Sequence, residues 1–274
     1  MKTTDPVTKE KFREIEALVA DTLECHALPF PPVDVERMCE HEGIALLPSD
    51  YHDSFDSRIE YHKTKGKFLL FLDTADRGRT EGRRRFSIAH ELGHFYLPDH
   101  RKALLDGVTH YSDTETFSPS ATTEAEADEF AARLLMPTKT FGREMRDVGV
   151  DELHRLARVF GTSLTATAHR MIGETFKACS VVFSDGKRVR YAKHSESGRM
   201  SYLYGIHKGG RVPEMSRTAA FADTGKLEKK TAVIPADYWY KSLQGRRRVD
   251  ERIVWEEVGS LGPYGYVTFL VCED

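Results

Sequence analysis

The sequence predicts an α+β chain in two parts, a helix-rich first half and a mostly β second half. Three observations carry that expectation. Up to about residue 172, apolar residues recur at helical spacing, interrupted by short strand-like runs. Beyond Cys179 the texture changes to SVVFSD, RVRYAKH, TAVIPADYW, RIVWEEV and YGYVTFLVCE, strand-like segments separated by polar turns. A chain of 274 residues, 40% apolar and 30% charged, has the core-forming capacity of one large domain or two small ones.

Residues 6–25 read as an amphipathic helix with Phe12, Ile15, Leu18, Val19 and Leu23 on one face, broken by Pro29, Pro31 and Pro32. A shorter helix follows over Val33–Gly43, with Asp34 near its start and Gly43 as its stop. Strands are expected at 44–47, 57–62 and 67–72, the last two joined as a hairpin around Gly66. A basic connection leads into the helix FSIAHELGHFYLPDH, which Pro98 ends; the polar stretch 101–123 then reads as a mobile loop. Further helices are expected at 123–135 and 138–146, and a helix pair broken near Gly161 over 150–172, with the outline of a helix-turn-helix.

The central helix carries His90-Glu91-Leu92-Gly93-His94. Positions i and i+4 lie on one helix face, so both imidazoles can reach one cation, and tetrahedral Zn²⁺ with an open position suits that donor set. Glu91 follows the first ligand and can take a proton from a water held there. A buried helix with two hydrogen-bonded histidines is the competing reading, disfavoured because three specific residues must coincide at fixed spacing.

A catalytic zinc needs a third protein ligand. His100 has metzincin spacing, but Leu97 stands where that pattern turns on glycine, so a surface histidine is the simpler reading. Glu124 opens the helix TEAEADEFAARLLMP, and Asp128, four residues on, can accept the spare N–H of a ligating histidine. Glu126 lies on another face and reads as a solvent-side charge, with Glu129 and Arg133. Glu124 is favoured.

The stretches RFSIAHELGH, ExEADxFAxxLLMP and LARVFGTS, arriving in that order over roughly residues 30–172, resemble the ImmA/IrrE family of zinc metallopeptidases. The resemblance implies a zincin-like, thermolysin-like core, with His90, His94 and Glu124 as zinc ligands, Glu91 as catalytic acid/base and Asp128 in support. It also implies cleavage of a helix-turn-helix transcriptional repressor, derepressing a stress or phage-defence operon. The β-rich tail is similar to a GAF-like sensor. The expected organisation is a metallopeptidase domain over 1–148, a helix-turn-helix-like segment over 149–175 and a GAF-like domain over 176–274.

A net charge of −3 excludes a general polycation, so any nucleic-acid contact needs a local patch. The alternative function is a DNA-binding regulator with a structural zinc, reading DNA through residues 150–172 by way of His154, Arg155, Arg158 and Arg170. Scarcity of lysine there favours a capping or docking role instead. In the tail, Tyr238, Trp239, Tyr240 and Lys241 precede Arg246, Arg247 and Arg248, a pairing suited to a single-stranded nucleic acid activator; core aromatics beside a solvated loop are the plainer reading. A small-molecule activator is the other option for this domain. His110 and Tyr111 are candidate transition-state stabilisers. Four scattered cysteines without a CxxC pair, no apolar leader and no long apolar run place the expected protein in the cytoplasm, away from membranes.

Overall fold

Capping chemistry sets several helix boundaries in the computed structural model, which describes residues 7–26, 31–52, 55–75, 80–107, 121–200, 205–226, 231–241 and 252–272. The Asp34 carboxylate accepts from the Arg37 amide at 3.0 Å and opens α2 (Val35–His41), which follows α1 (Lys9–His26). Gly43, at φ +67°, turns the chain out of α2 into β1 (Ala45–Ser49). Strands β2 (Ser57–His62) and β3 (Lys67–Asp73) form the expected hairpin, and the three-stranded sheet has the order β1-β3-β2, with β1 parallel and β2 antiparallel to β3. Strand β2 is therefore an edge.

Thr80 caps α3 (Glu81–Tyr96), the helix of the HExxH motif. Here the structure corrects the expected loop over 101–106, while residues 108–120 of that stretch lie outside the described residues. Leu97 is extended, as a residue before proline prefers, and Pro98 occupies the first turn of a further helix, α4 (Pro98–Asp106), closed by Gly107 at φ +96°. Proline thus ends one helix and starts the next, and His100 returns toward α3. Helix α5 (Ala121–Leu135) packs along α3, and α6 (Thr138–Glu144) follows. Ile88, Leu92, Phe95, Phe130 and Leu134 are buried between these elements. Each such side chain contributes roughly 1.5–3 kcal/mol by leaving water.

The chain divides into two compact units, Met1–Phe141 with Arg158–Ser163, and Gly142–Ala157 with Leu164–Asp274. The helix pair is present as α7 (Val150–Phe160) and α8 (Leu164–Glu174). In the second unit β4 (Cys179–Ser184), β5 (Val189–His194), β6 (Thr231–Pro235), β7 (Ile253–Ser260) and β8 (Tyr266–Cys272) form an antiparallel sheet of order β5-β4-β8-β7-β6. Helices α9 (Glu196–Met200) and α10 (Arg217–Thr224) lie between strands in sequence. The buried Glu256 carboxylate accepts from the Arg217 and Thr218 amides, both at 3.1 Å, compensating its burial with the N-terminus of α10.

Candidate metal centre

The site is assembled by the close approach of α3 and α5. A β-carbon at Gly93 would stand 3.1 Å from the Ala127 carbonyl oxygen, 3.2 Å from Ala127 Cα and 3.3 Å from Phe130 Cβ. Glycine between the motif histidines therefore lets α5 lie against α3, and Glu124, one turn before Ala127, reaches the imidazoles. His90 Nε2 and His94 Nε2 are 3.1 Å apart. Glu124 brings Oε2 to 3.2 Å from His90 Nε2 and Oε1 to 3.6 Å from His94 Nε2. One ligand atom from each of the three residues falls within 4.8 Å of the others.

This donor set fits a divalent cation. Bonds of about 2.0–2.1 Å to a tetrahedral ion imply donor–donor separations of roughly 3.3 Å, and the His90–His94 and His90–Glu124 Oε2 separations of 3.1 and 3.2 Å lie close to that value. Asp128 Oδ1 lies 2.9 Å from His90 Nδ1, so when a cation displaces the Nε2 proton the remaining proton is held on Nδ1. Glu124 Oε1 is buried and accepts no hydrogen bond, an arrangement that costs energy unless a positive charge is supplied. Burial disfavours the imidazolium of His90, but the Asp128 and Glu124 carboxylates outweigh it and raise its pKa to about 10. The pocket attracts positive charge.

Glu91, 2% exposed, is held against β2 rather than by a neighbour on its own helix. The Ser57 hydroxyl donates to Glu91 Oε1 at 2.7 Å, while Oε2 is buried without a hydrogen-bond partner. Burial raises the pKa of this carboxyl, opposed by His90 and by the Ser57 bond, so it is a stronger base than an exposed glutamate.

Two sequence expectations around this three-residue group need correction. His100 is 5% exposed rather than a surface histidine, and its Nδ1 lies 3.1 Å from His94 Nδ1, on the side away from Glu124. Glu126, expected to face solvent, has a side chain only 13% exposed and brings Oε2 to 3.2 Å from His100 Nε2. Desolvation lowers the pKa of His100 despite this carboxylate. Ser57 and the His100–Glu126 pair are the contributors that sequence reasoning missed.

Elsewhere, two of the three tail aromatics are withdrawn from the stacking role, while Tyr238 is exposed. Trp239 and Tyr240 are 5% and 1% exposed in the core of the second unit, and Tyr240 donates to Ser180 Oγ at 2.8 Å. Lys241 is exposed; Arg246, Arg247 and Arg248, like His110 and Tyr111, lie outside the described residues. Of the basic residues considered for DNA, Arg155 pairs with Glu152 and Glu144, and Arg170 is buried beside Glu174. Cys39 and Cys179 are buried thiols whose pKa desolvation pushes up to about 12 and about 11. Among the described residues no helix is long and apolar enough to cross a membrane.

Residues 39–171 match the family model described as the IrrE N-terminal-like domain, Peptidase_M78, which supports the ImmA/IrrE resemblance and a metallopeptidase with a three-residue metal group. No curated protein matches the chain. Among solved structures, the chain is similar to a Mycobacterium tuberculosis transcriptional regulator at a TM-score of 0.58 and 17% identity, over 98% of this chain and 78% of that one. At that identity the likeness is one of fold. The family is known for regulator-cleaving metallopeptidases, and the neighbour's description is compatible with that setting.

Proposed function

We propose that this chain is a zinc-dependent endopeptidase that cleaves a helix-turn-helix transcriptional repressor and so derepresses a stress or phage-defence operon. The observation that carries the reading is the convergence of His90, His94 and Glu124 beside a buried Glu91 on the same helix. Zinc at these three side chains supplies Lewis-acid polarisation of a peptide carbonyl and acidifies a water. The chain's own residues do the rest. Glu91, its orientation fixed by Ser57, accepts the proton from the attacking water and returns it to the leaving amine. Asp128 keeps His90 in the tautomer that offers Nε2. Strand β2, an edge beside the motif helix, offers backbone groups to which an extended substrate segment adds.

Within this reading the metallopeptidase domain spans 1–148, residues 149–175 form a helical link, and 176–274 act as a GAF-like sensor for a single-stranded nucleic acid or small-molecule activator, in the cytoplasm. An antiparallel sheet with helices α9 and α10 between its strands supports an α+β sensor domain. Consumption of Arg155 and Arg170 in ion pairs weighs against DNA reading by α7 and α8.

The test is co-expression with the helix-turn-helix protein encoded beside it, read by gel for a cut product. Glu91→Gln should retain zinc and lose cleavage by about 10²–10⁴-fold. Wild-type-like turnover by that variant would refute the mechanism.

A further inference from the structure

We propose that His100 and Glu126 form a positioning relay that locks His94 as a metal ligand, an inference that rests on the zinc-site reading above. Both ring nitrogens of His94 are spoken for by geometry. Its Nε2 faces His90 and Glu124, and its Nδ1 stands 3.1 Å from His100 Nδ1. Two imidazole nitrogens at that distance make one hydrogen bond, with one donor and one acceptor. A metal held here would take the Nε2 lone pair of His94, leaving the proton on Nδ1 to donate to His100 Nδ1. That nitrogen must then be unprotonated, which puts the His100 proton on Nε2, 3.2 Å from Glu126 Oε2. The proton count closes with every ring neutral and each nitrogen given one role.

The relay is built rather than incidental. The Leu97–Pro98 turn starts α4 and returns His100 over the motif helix, where its ring lies tilted against His94 with centroids 5.1 Å apart. Glu126 comes from α5, the helix that also supplies Glu124, and Lys11 from α1 holds the same carboxylate oxygen at 3.8 Å. One helix thereby delivers a direct ligand from one face and the terminus of the relay from another. His90 is oriented differently, by the Asp128 carboxylate itself. The two ligands thus have unlike supports, a carboxylate on one and an imidazole backed by a carboxylate on the other.

The test uses the full chain and zinc as the probe, with affinity read by chelator competition. His100→Leu preserves bulk but removes the acceptor, and should weaken zinc by about 10–100-fold. His100→Gln restores an acceptor toward His94 and a donor toward Glu126, and should bind close to wild type; a space-filling role would not distinguish them in this direction. Nitrogen NMR of the zinc-loaded wild type should show His94 protonated on Nδ1 and His100 on Nε2. If His100→Leu does not fold, Glu126→Ala replaces it, with weakened zinc binding and a loss of the fixed His100 tautomer expected. The relay is overturned if His100→Leu, or Glu126→Ala in its place, binds zinc as tightly as the wild type, or if His100 is found protonated on Nδ1. Wild-type protein that takes up no zinc would instead bring down the zinc-site reading itself.

Discussion

Replacing Gly93 with alanine tests whether the approach of α3 and α5 makes the site. The added methyl would meet Ala127 O, Ala127 Cα and Phe130 Cβ at 3.1–3.3 Å, and none of these is the end of a flexible side chain. The helices must therefore separate by a few tenths of an ångström. Metal–ligand distances tolerate about 0.2 Å, so the carboxylate of Glu124 is carried toward the edge of useful reach. Overpacking costs about 1–3 kcal/mol, while alanine in a helix interior gains about 1 kcal/mol over glycine. Metal-free stability should then lie between unchanged and about 2 kcal/mol lower. Strain of 1–2 kcal/mol borne by the metal-bound arrangement corresponds to roughly tenfold weaker zinc binding. Urea unfolding in chelator and competitive zinc titration read the two quantities separately. A variant about 1 kcal/mol more stable without metal, and undiminished in zinc affinity, would refute the claim that this contact sets the position of Glu124.

Other perturbations follow from single contacts. Ser57→Ala removes the donor on Glu91 Oε1 and should retain zinc while lowering kcat by roughly tenfold, the equivalent of a bond to a charged group worth about 1.5 kcal/mol; unchanged kcat would show that the hydroxyl does not orient the base. In the second unit, burial and then Lys193 lower the pKa of His169 from 6.5 to about 4. The folded state holds this imidazole neutral while the unfolded chain protonates it, so its contribution is complete above about pH 6.5 and is lost as pH falls toward 4. The loss amounts to about 3 kcal/mol at most, and His169→Gln should flatten the fall in stability across that window; an unchanged slope would contradict the assignment.

Much of the architecture was legible because it is written in short periods. The strands over Ser57–His62 and Lys67–Asp73 and the helix around His90 follow from alternation, helical spacing and the Gly66 turn. Helix α4 was not, because Pro98 signals both a stop and a start, and only the fold shows that it serves as both. In the tail, Ser216 capping and Gly225 at φ +66° mark α10 as clearly as any helix, but the strand-rich texture around it masked the signal. At the site, the convergence of His90, His94 and Glu124 was readable because it joins a motif to a helix-start carboxylate. Ser57 beside Glu91 and His100 beside Glu126 were not, since they are separated by 34 and 26 residues and no periodicity links them. Glu126 looked solvent-facing when only its own helix was considered; α1 and α4 close over that face. Trp239 and Tyr240 follow the plainer of their two readings, core aromatics, because packing claims the rings.

X-ray absorption at the zinc edge of the purified protein tests the central claim most directly. The expected shell is two imidazole nitrogens at about 2.0–2.1 Å and carboxylate oxygen at about 2.0–2.2 Å, with the carboxylate contribution lost in Glu124→Ala. A protein without zinc, a shell containing sulfur, or one untouched by Glu124→Ala would contradict it.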